Sequence, residues 1–274
     1  MKKALLFCLF ISILFVVNAQ EYLTKENINY YSDSICNGDE YIKSKCVLDI
    51  YYPKEGKSSG TIIWFHGGGL TMGKTEVPSA LQNQGYTVVG VDYRLSPKVK
   101  APAYIEDAAA ATAWVFNHIT EFGGNPNIIF ISGHSAGGYL ALMITLDKSY
   151  LNKYQIDANK IAGIIPLSGQ TITHFTIRRE NGIRNLQPTI DQYAPLYFVR
   201  VDAPPMLLIT GDREKELFGR YEENAYLARM MKLVGQGNTT LYELQGYDHG
   251  MMVPAYPLLL RFVKNRCKQL IESN

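Results

Sequence analysis

A Gly-His-Ser-Ala-Gly pentapeptide at residues 133–137 constrains the fold of this chain more than any other feature. An apolar run precedes it, and the helix-forming run Ala136–Leu146 follows it. A G-x-S-x-G sequence between a strand and a helix is typical of a tight turn that exposes a nucleophilic serine. Glycine is favoured on either side because side chains would clash in so tight a turn. The pattern predicts Ser135 as a nucleophile, although the pentapeptide alone would also fit a glycine-rich turn that caps a helix.

Short apolar runs rich in β-branched residues alternate with helical patterns along the rest of the chain. Most of these runs lack polar alternation, as expected for strands that are covered on both faces. The pattern predicts an α/β protein with a mostly parallel central sheet and helices on both faces. The predicted strands are residues 47–52, 61–66, 87–92, 128–133, 161–167, 206–210 and 239–244. The predicted helices are residues 104–119, 136–146, 220–234 and 256–271.

A second glycine-rich motif, His66-Gly67-Gly68-Gly69, follows the strand predicted at 61–66. Acyl transfer needs N–H donors aimed at the oxyanion of the tetrahedral intermediate, and glycines let the backbone approach closely. We assign Gly67 and Gly68 as donors from this loop and the N–H of Ala136 as the donor from the serine turn. Which of the three loop glycines donates is open by one position, and His66 is expected to brace the loop. A flexible turn is the alternative interpretation.

The general base must be one of five histidines. In a serine hydrolase of this kind the chain order is serine, acid, histidine. Only His249 follows both Ser135 and the region expected to hold the acid. His249 lies in a loop between the last predicted strand and the last predicted helix. We expect His118 at the surface, His134 pointing away from the serine, and His174 in an insert where it could touch substrate.

The acid that orients the histidine is expected directly after the strand predicted at 206–210. The sequence there is Gly211-Asp212-Arg213-Glu214-Lys215-Glu216, so three carboxylates compete. The residues themselves leave Asp212, Glu214 and Glu216 open.

With these motifs in place, the chain resembles the acetyl-esterase and hormone-sensitive-lipase-like branch of the α/β-hydrolases, which includes carbohydrate-ester and arylformamidase-like enzymes. The resemblance runs over nearly the whole chain after its first twenty residues. It implies the α/β-hydrolase fold. The motifs that carry it are Leu48-Asp49-Ile50-Tyr51-Tyr52-Pro53, His66-Gly67-Gly68-Gly69, Val91-Asp92-Tyr93-Arg94-Leu95-Ser96-Pro97, Glu106-Asp107, Trp114, Phe122-Gly123-Gly124 and Ser132-Gly133-His134-Ser135-Ala136-Gly137-Gly138.

The resemblance also implies a mechanism and an acid. The family places its acid three residues after the glycine that ends the strand, which selects Glu214 over Asp212 and Glu216, with Glu in place of the usual Asp. The implied activity is hydrolysis of carboxylic esters through an acyl-enzyme on Ser135, with no metal or organic cofactor. Small esters, and acetylated glycans among them, are the expected substrates. A prolyl-oligopeptidase-like peptidase and a catalytically inactive binding protein of the same fold are the alternatives.

Residues 169–205 form the longest stretch without a clear strand. Long excursions inside an α/β domain often serve as lids or caps. We therefore predict one domain, residues 20–274, with a small cap inserted at 169–205. A packed irregular insertion with one or two structural helices is the alternative.

The first residues of the chain resemble a signal peptide. A basic start is followed by a 14-residue apolar run, and small residues then precede Gln20. We predict cleavage after residue 19 and a secreted or periplasmic protein. An uncleaved N-terminal anchor is the alternative, and no other stretch is apolar and long enough to cross a bilayer.

Charge and cysteine content exclude several classes of partner. Apart from Lys2 and Lys3, 25 basic residues balance 25 acidic ones without a block of either sign, so no nucleic acid is expected as a partner. Cys36 and Cys46 could close a disulfide and leave Cys267 unpaired, or all three could be buried thiols. No pair of cysteines or histidines has the spacing of zinc ligands.

Overall fold

Residues 20–272 are described by a computed structural model of the chain. The predicted signal peptide, residues 1–19, lies outside the described residues. Within the described part, no helix has the length and apolarity needed to span a membrane.

One eight-stranded sheet forms the centre of the molecule. The strands are β1 (Tyr22–Asn29), β2 (Val47–Pro53), β3 (Thr61–Phe65), β4 (Thr87–Val91), β5 (Ile129–His134), β6 (Gly163–Leu167), β7 (Met206–Gly211) and β8 (Thr239–Leu244). Their order is β1-β2-β4-β3-β5-β6-β7-β8. Strand β2 runs antiparallel to β1 and β4, and β3 to β8 are parallel to one another. The prediction of a mostly parallel sheet is confirmed.

Helices cover both faces of this sheet. They are α1 (Asp33–Gly38), α2 (Glu40–Lys45), α3 (Ala103–His118), α4 (Ala136–Leu146), α5 (Lys148–Asn152), α6 (Phe175–Glu180), α7 (Arg220–Leu233) and α8 (Met252–Glu272). Helices α3, α4 and α7 contribute to the core on one face, and α8 packs on the other. Neighbouring strand residues alternate between the two cores: Ile63 and Phe65 enter the first, and Ile62 and Trp64 the second.

The predicted strands and long helices all form, with ends displaced by a few residues. Strand β1 was not predicted, because its sequence is mostly polar and its middle residues are exposed at the edge of the sheet. The segment 169–205 joins β6 to β7 and contains α6 and a 3₁₀ turn at Pro195–Phe198.

The cysteines of the described chain form no disulfide. Cys36, Cys46 and Cys267 are all buried thiols, which is the second of the two alternatives that the sequence left open.

Candidate active site

Ser135 lies on a sharp turn between β5 and α4. Its φ of 55° and ψ of −112° are rare for any residue with a side chain and mark local backbone strain. A Cβ atom on Gly133 would lie 2.5 Å from the carbonyl oxygen of Phe65, and one on Gly137 only 1.9 Å from it. The two flanking glycines are therefore required by the close approach of β3.

His249 accepts a hydrogen bond from Ser135, as the chain order predicted. The distance from Ser135 Oγ to His249 Nε2 is 2.8 Å. His249 belongs to the loop between β8 and α8, and His134 fixes that loop by donating from Nε2 to the His249 carbonyl oxygen over 2.8 Å. Burial, followed by the nearby His249 ring, lowers the pKa of His134 to about 4, so this ring is neutral at neutral pH. The His134 ring thus holds the loop that carries His249, a contact that the sequence did not indicate.

The carboxylate that meets His249 belongs to Glu216. Its Oε2 lies 2.9 Å from His249 Nδ1 and also accepts the Leu217 N–H at 3.1 Å. Its Oε1 accepts the Gly211 N–H at 2.9 Å and the hydroxyl of Ser168. Burial would raise the pKa of Glu216, but the hydrogen bonds from His249, Ser168 and Gly211 outweigh burial and lower it to about 2. The side chain is 1% exposed, so a carboxylate is held ionised in the interior.

The choice of Glu214 as the partner of His249 was wrong. The chain after β7 makes a tight turn in which the N–H groups of Lys215 and Glu216 both donate to the Asp212 carbonyl oxygen at 2.9 Å. This turn brings Glu216 back beneath His249 and leaves Glu214 exposed. The carboxylate of Asp212 accepts the N–H groups of Glu214 and Gly246 instead.

Two of the predicted oxyanion donors, Gly67 and Ala136, lie beside the serine. A Cβ atom on Gly67 would be 3.7 Å from Ser135 Cβ, and Ala136 follows Ser135 directly. The N–H groups of Gly67, Gly68 and Ala136 donate to no acceptor within residues 20–272. Gly68 has a φ of +108°, and a Cβ there would lie 2.1 Å from the Met72 carbonyl oxygen, so the loop conformation requires glycine.

His66 supports this loop, as the sequence predicted. Its Nδ1 lies 2.6 Å from the Gly67 carbonyl oxygen, and its Nε2 lies 3.1 Å from Asp92 Oδ1. Lys45 Nζ contacts the same Asp92 oxygen at 2.6 Å. Tyr93 stacks on the imidazole at 4.3 Å and donates to the His66 carbonyl oxygen at 2.8 Å. The sequence did not point to Lys45, which comes from the distant helix α2.

Helix α6 of the insert packs directly on the glycine loop. Thr176 Oγ1 donates to the Gly69 carbonyl oxygen over 2.6 Å, and a Cβ on Gly69 would lie 3.1 Å from the Phe175 ring. The Phe175 ring also packs edge-on against Phe218, with centroids 5.9 Å apart. His174 is fully buried against the Phe175 ring, with centroids 4.3 Å apart, so the expectation that it could touch substrate is not met.

Other parts of the described chain offer no competing centre of this kind. A cleft of about 770 Å³ lies near the amino ends of β3 and β4, at the opposite edge of the sheet from Ser135, and is lined by Tyr86, Leu260, Cys267 and their neighbours. Within residues 20–272, no cluster of three His, Cys, Asp or Glu side chains could hold a metal ion.

Comparisons with known proteins identify a family and a shared fold. The family described as BD-FAE matches residues 48–219. Esterase LipC of Mycobacterium tuberculosis is 28% identical over 205 residues, which are 68% of this chain and 50% of LipC. Carboxylic ester hydrolase LipN of the same organism is 37% identical over 100 residues, which are 34% of this chain and 27% of LipN. The chain thus spans half or less of the length of these relatives.

Solved structures share the fold. A truncated carbohydrate esterase from gut microbiota superposes with a TM-score of 0.74 at 18% identity, over 92% of this chain and 99% of the other. Esterase B of Lactobacillus rhamnosis superposes with a TM-score of 0.70 at 18% identity, over 93% of this chain and 89% of the other. The family match covers well over half of the chain, and together with the sheet order it shows that the chain belongs to the BD-FAE family of α/β-hydrolase serine esterases.

Proposed function

We propose that this chain hydrolyses carboxylic esters with Ser135 as nucleophile, His249 as general base and Glu216 as the acid that orients it. The observation that carries the proposal is the continuous chain of hydrogen bonds from Ser135 Oγ through the His249 ring to the buried Glu216 carboxylate. Its two links measure 2.8 and 2.9 Å, within the range in which a nucleophile, a base and an orienting acid act together.

The steps follow from this geometry. Ser135 Oγ attacks the ester carbonyl carbon and passes its proton to His249 Nε2, while Glu216 stabilises the imidazolium. The N–H groups of Gly67, Gly68 and Ala136 are free to donate to the oxyanion. The intermediate then expels the alcohol, which takes the proton from His249 and leaves an acyl group on Ser135. Water then attacks the acyl-enzyme with the same help from His249 and releases the carboxylic acid product. No step calls for a metal or an organic cofactor.

The test is hydrolysis of p-nitrophenyl acetate by the wild type and by Ser135→Ala. We expect the variant to lose turnover by a factor on the order of 10⁶. Ser149→Ala, an exposed serine on α5, serves as the matched control and should keep full activity. Labelling by a fluorophosphonate at Ser135 tests the first alternative, because an inactive binding protein would not react. A peptide substrate tests the second, because a peptidase would cleave it and an esterase would leave it intact.

A short acyl group is part of the proposal. The Phe175 ring lies against Gly69 and meets Phe218, so two aromatic side chains form a wall at the end of the glycine loop. Such a wall limits the length of an acyl chain that can enter. On p-nitrophenyl esters of rising length we expect a preference for acetate and butyrate, and Phe175→Ala should move the optimum to longer chains. An unchanged chain-length profile in this variant would contradict the claim that Phe175 limits the length of the acyl chain.

We also propose that the protein is exported and that acetylated sugars are among its substrates. Strand β1 begins at Tyr22 and pairs with β2 from that residue onward, so removal of residues 1–19 would leave the sheet complete. The mature protein from a secreting host should begin at Gln20 when its N-terminus is sequenced. Release of acetate from acetylated sugars, compared with aryl acetates at equal concentration, tests the substrate.

A further inference from the structure

A fourth side chain, Ser168, joins the hydrogen-bonded chain from its buried end. Its hydroxyl donates to Glu216 Oε1, and the same oxygen lies 3.2 Å from His249 Nδ1. Ser168 follows the last residue of β6 and is fully buried. The Nδ1 proton of His249 therefore faces two acceptors, Glu216 Oε2 at 2.9 Å and Ser168 Oγ at 3.2 Å.

The backbone holds Ser168 in place from both sides. Its N–H donates to the carbonyl oxygen of Ile209 in β7 over 2.7 Å. Its carbonyl oxygen accepts from the guanidinium of Arg220, a side chain that is itself fully buried. Ser168 also has a φ of 51°, a conformation that costs free energy in a residue with a side chain. A strained and doubly tethered residue keeps its hydroxyl in one position.

We propose that Ser168 is a positioning residue of the Ser135–His249–Glu216 site, acting through Glu216 and His249 and not on substrate. This inference rests on the proposed function. The Ser168 hydroxyl supplies one of the two donors to Oε1, and the Gly211 N–H supplies the other. Both hydrogen bonds oppose rotation of the carboxylate and so keep Oε2 directed at Nδ1.

Loss of the hydroxyl has a defined consequence. Oε1 would keep the Gly211 N–H alone, and the His249 ring would lose its second acceptor. A general base that is less well oriented lowers the rate of the chemical step and leaves substrate binding alone, because no atom of Ser168 meets the substrate. The expected signature is a lower kcat at an unchanged KM.

The experiment uses the full-length protein and two variants, Ser168→Ala and Ser168→Gly. Glycine removes the hydroxyl and also relieves the positive φ, so this variant guards against a fold defect in the alanine variant. The measurements are the second-order rate constant of Ser135 labelling by a small fluorophosphonate, and kcat and KM for p-nitrophenyl acetate. We expect both variants to label about tenfold more slowly and to show about a tenfold lower kcat, the size of effect typical for one hydrogen bond to a charged group.

Ser132→Ala is the matched control. Ser132 is also fully buried, and its hydroxyl donates to a strand carbonyl, that of Ile165, over 2.6 Å, without contact to Glu216 or His249. It should label at the wild-type rate. Wild-type labelling in both Ser168 variants, or an equal loss in Ser132→Ala, would overturn the inference. Because labelling needs no ester substrate, a wild type that labels but hydrolyses no ester would contradict the proposed function and still leave the role of Ser168 measured.

Discussion

Two histidine–carboxylate pairs lie at the same edge of the sheet and have different surroundings. In the first, His66 Nε2 meets Asp92 Oδ1 at 3.1 Å, and its Nδ1 is occupied by the Gly67 carbonyl oxygen. In the second, His249 Nδ1 meets Glu216 Oε2 at 2.9 Å, and its Nε2 faces the hydroxyl of Ser135. The first ring is held by fixed acceptors at both nitrogens, whereas the second keeps one nitrogen for a group that can give up a proton.

The carboxylates differ as well. Asp92 is paired with the ammonium of Lys45, so much of its negative charge is already neutralised. Apart from His249, the donors recorded for Glu216 are neutral: the Ser168 hydroxyl and the N–H groups of Gly211 and Leu217. Neutral donors keep a carboxylate ionised and fixed while its charge remains available to an imidazolium. In this molecule, the pair placed for proton transfer is the one whose carboxylate has no ammonium partner and whose ring meets a hydroxyl.

The largest expected effect comes from removing each ring in turn. His249→Ala should lower kcat on p-nitrophenyl acetate by a factor on the order of 10⁶, because the base is lost. His66→Ala should cost about 10²-fold, the loss typical of one oxyanion donor, since only the glycine loop is loosened. Equal losses of kcat in the two variants would contradict the assignment of His249 as the general base and of His66 as a support for the glycine loop.

The second prediction concerns the two glutamates of the loop after β7. Glu216→Gln should lower kcat by about 10⁴-fold, because a neutral amide cannot stabilise the imidazolium and favours the wrong tautomer. Glu214→Gln, two residues away and exposed, is the matched control and should keep wild-type kcat. The reverse result would support Glu214, the residue that the family spacing selects, as the acid.

A smaller effect on activity is expected from the ion pair between Lys45 and Asp92. Lys45→Met leaves the buried Asp92 carboxylate without its cation, and we expect the free energy of unfolding to fall by about 3 kcal/mol. The kcat should fall only about tenfold, since Lys45 acts on the glycine loop through Asp92 and His66. Denaturant unfolding and steady-state kinetics on the same preparation measure both. Loss of activity by several orders of magnitude with unchanged stability would place Lys45 in the chemistry instead.

The smallest effect is a pH dependence of stability. The pKa of Glu216 is lowered from 4.5 to about 2 on folding, so its contribution is complete above pH 4.5 and is lost as the pH falls towards 2. The free energy of unfolding of the wild type should therefore exceed that of Glu216→Gln most at neutral pH. Denaturant titrations at pH 7, 4.5 and 3 should show the difference shrinking, whereas a constant difference would mean that the Glu216 charge does not stabilise the fold.

Local patterns predicted the parts of the site that depend on backbone geometry. Glycines at 133 and 137 and in the loop after β3 are needed because their Cβ atoms would collide with neighbouring backbone, and such needs are visible in a sequence. His249 followed from chain order alone. The glycines stand in short motifs at strand ends, so the motif alone located them, although the contact that requires Gly133 and Gly137 is made by the distant residue Phe65.

The acid and its supporting residues could not be found in this way. Choosing Glu216 over Glu214 depends on the tight turn at Asp212, whose carboxylate accepts the Glu214 N–H. A turn-forming aspartate is visible in the sequence, but which of the following carboxylates the turn presents to His249 is not. Ser168 and Lys45 reach the site from other strands and helices, so only the folded chain brings them to it. Strand β1 was not predicted because an exposed edge strand has little apolar periodicity in its sequence.

The contact between the insert and the glycine loop has a consequence for how such a protein can diverge. Thr176 holds the Gly69 carbonyl oxygen, and the next residue towards the N-terminus, Phe175, supplies the aromatic wall. One short helix thus contacts both the proposed acyl-binding space and the loop proposed to stabilise the oxyanion. Substitutions in this helix that admit a new ester would alter turnover of the old one at the same time. Substrate range and rate would then be inherited together, and a new preference would arise through intermediates that are slower on both esters.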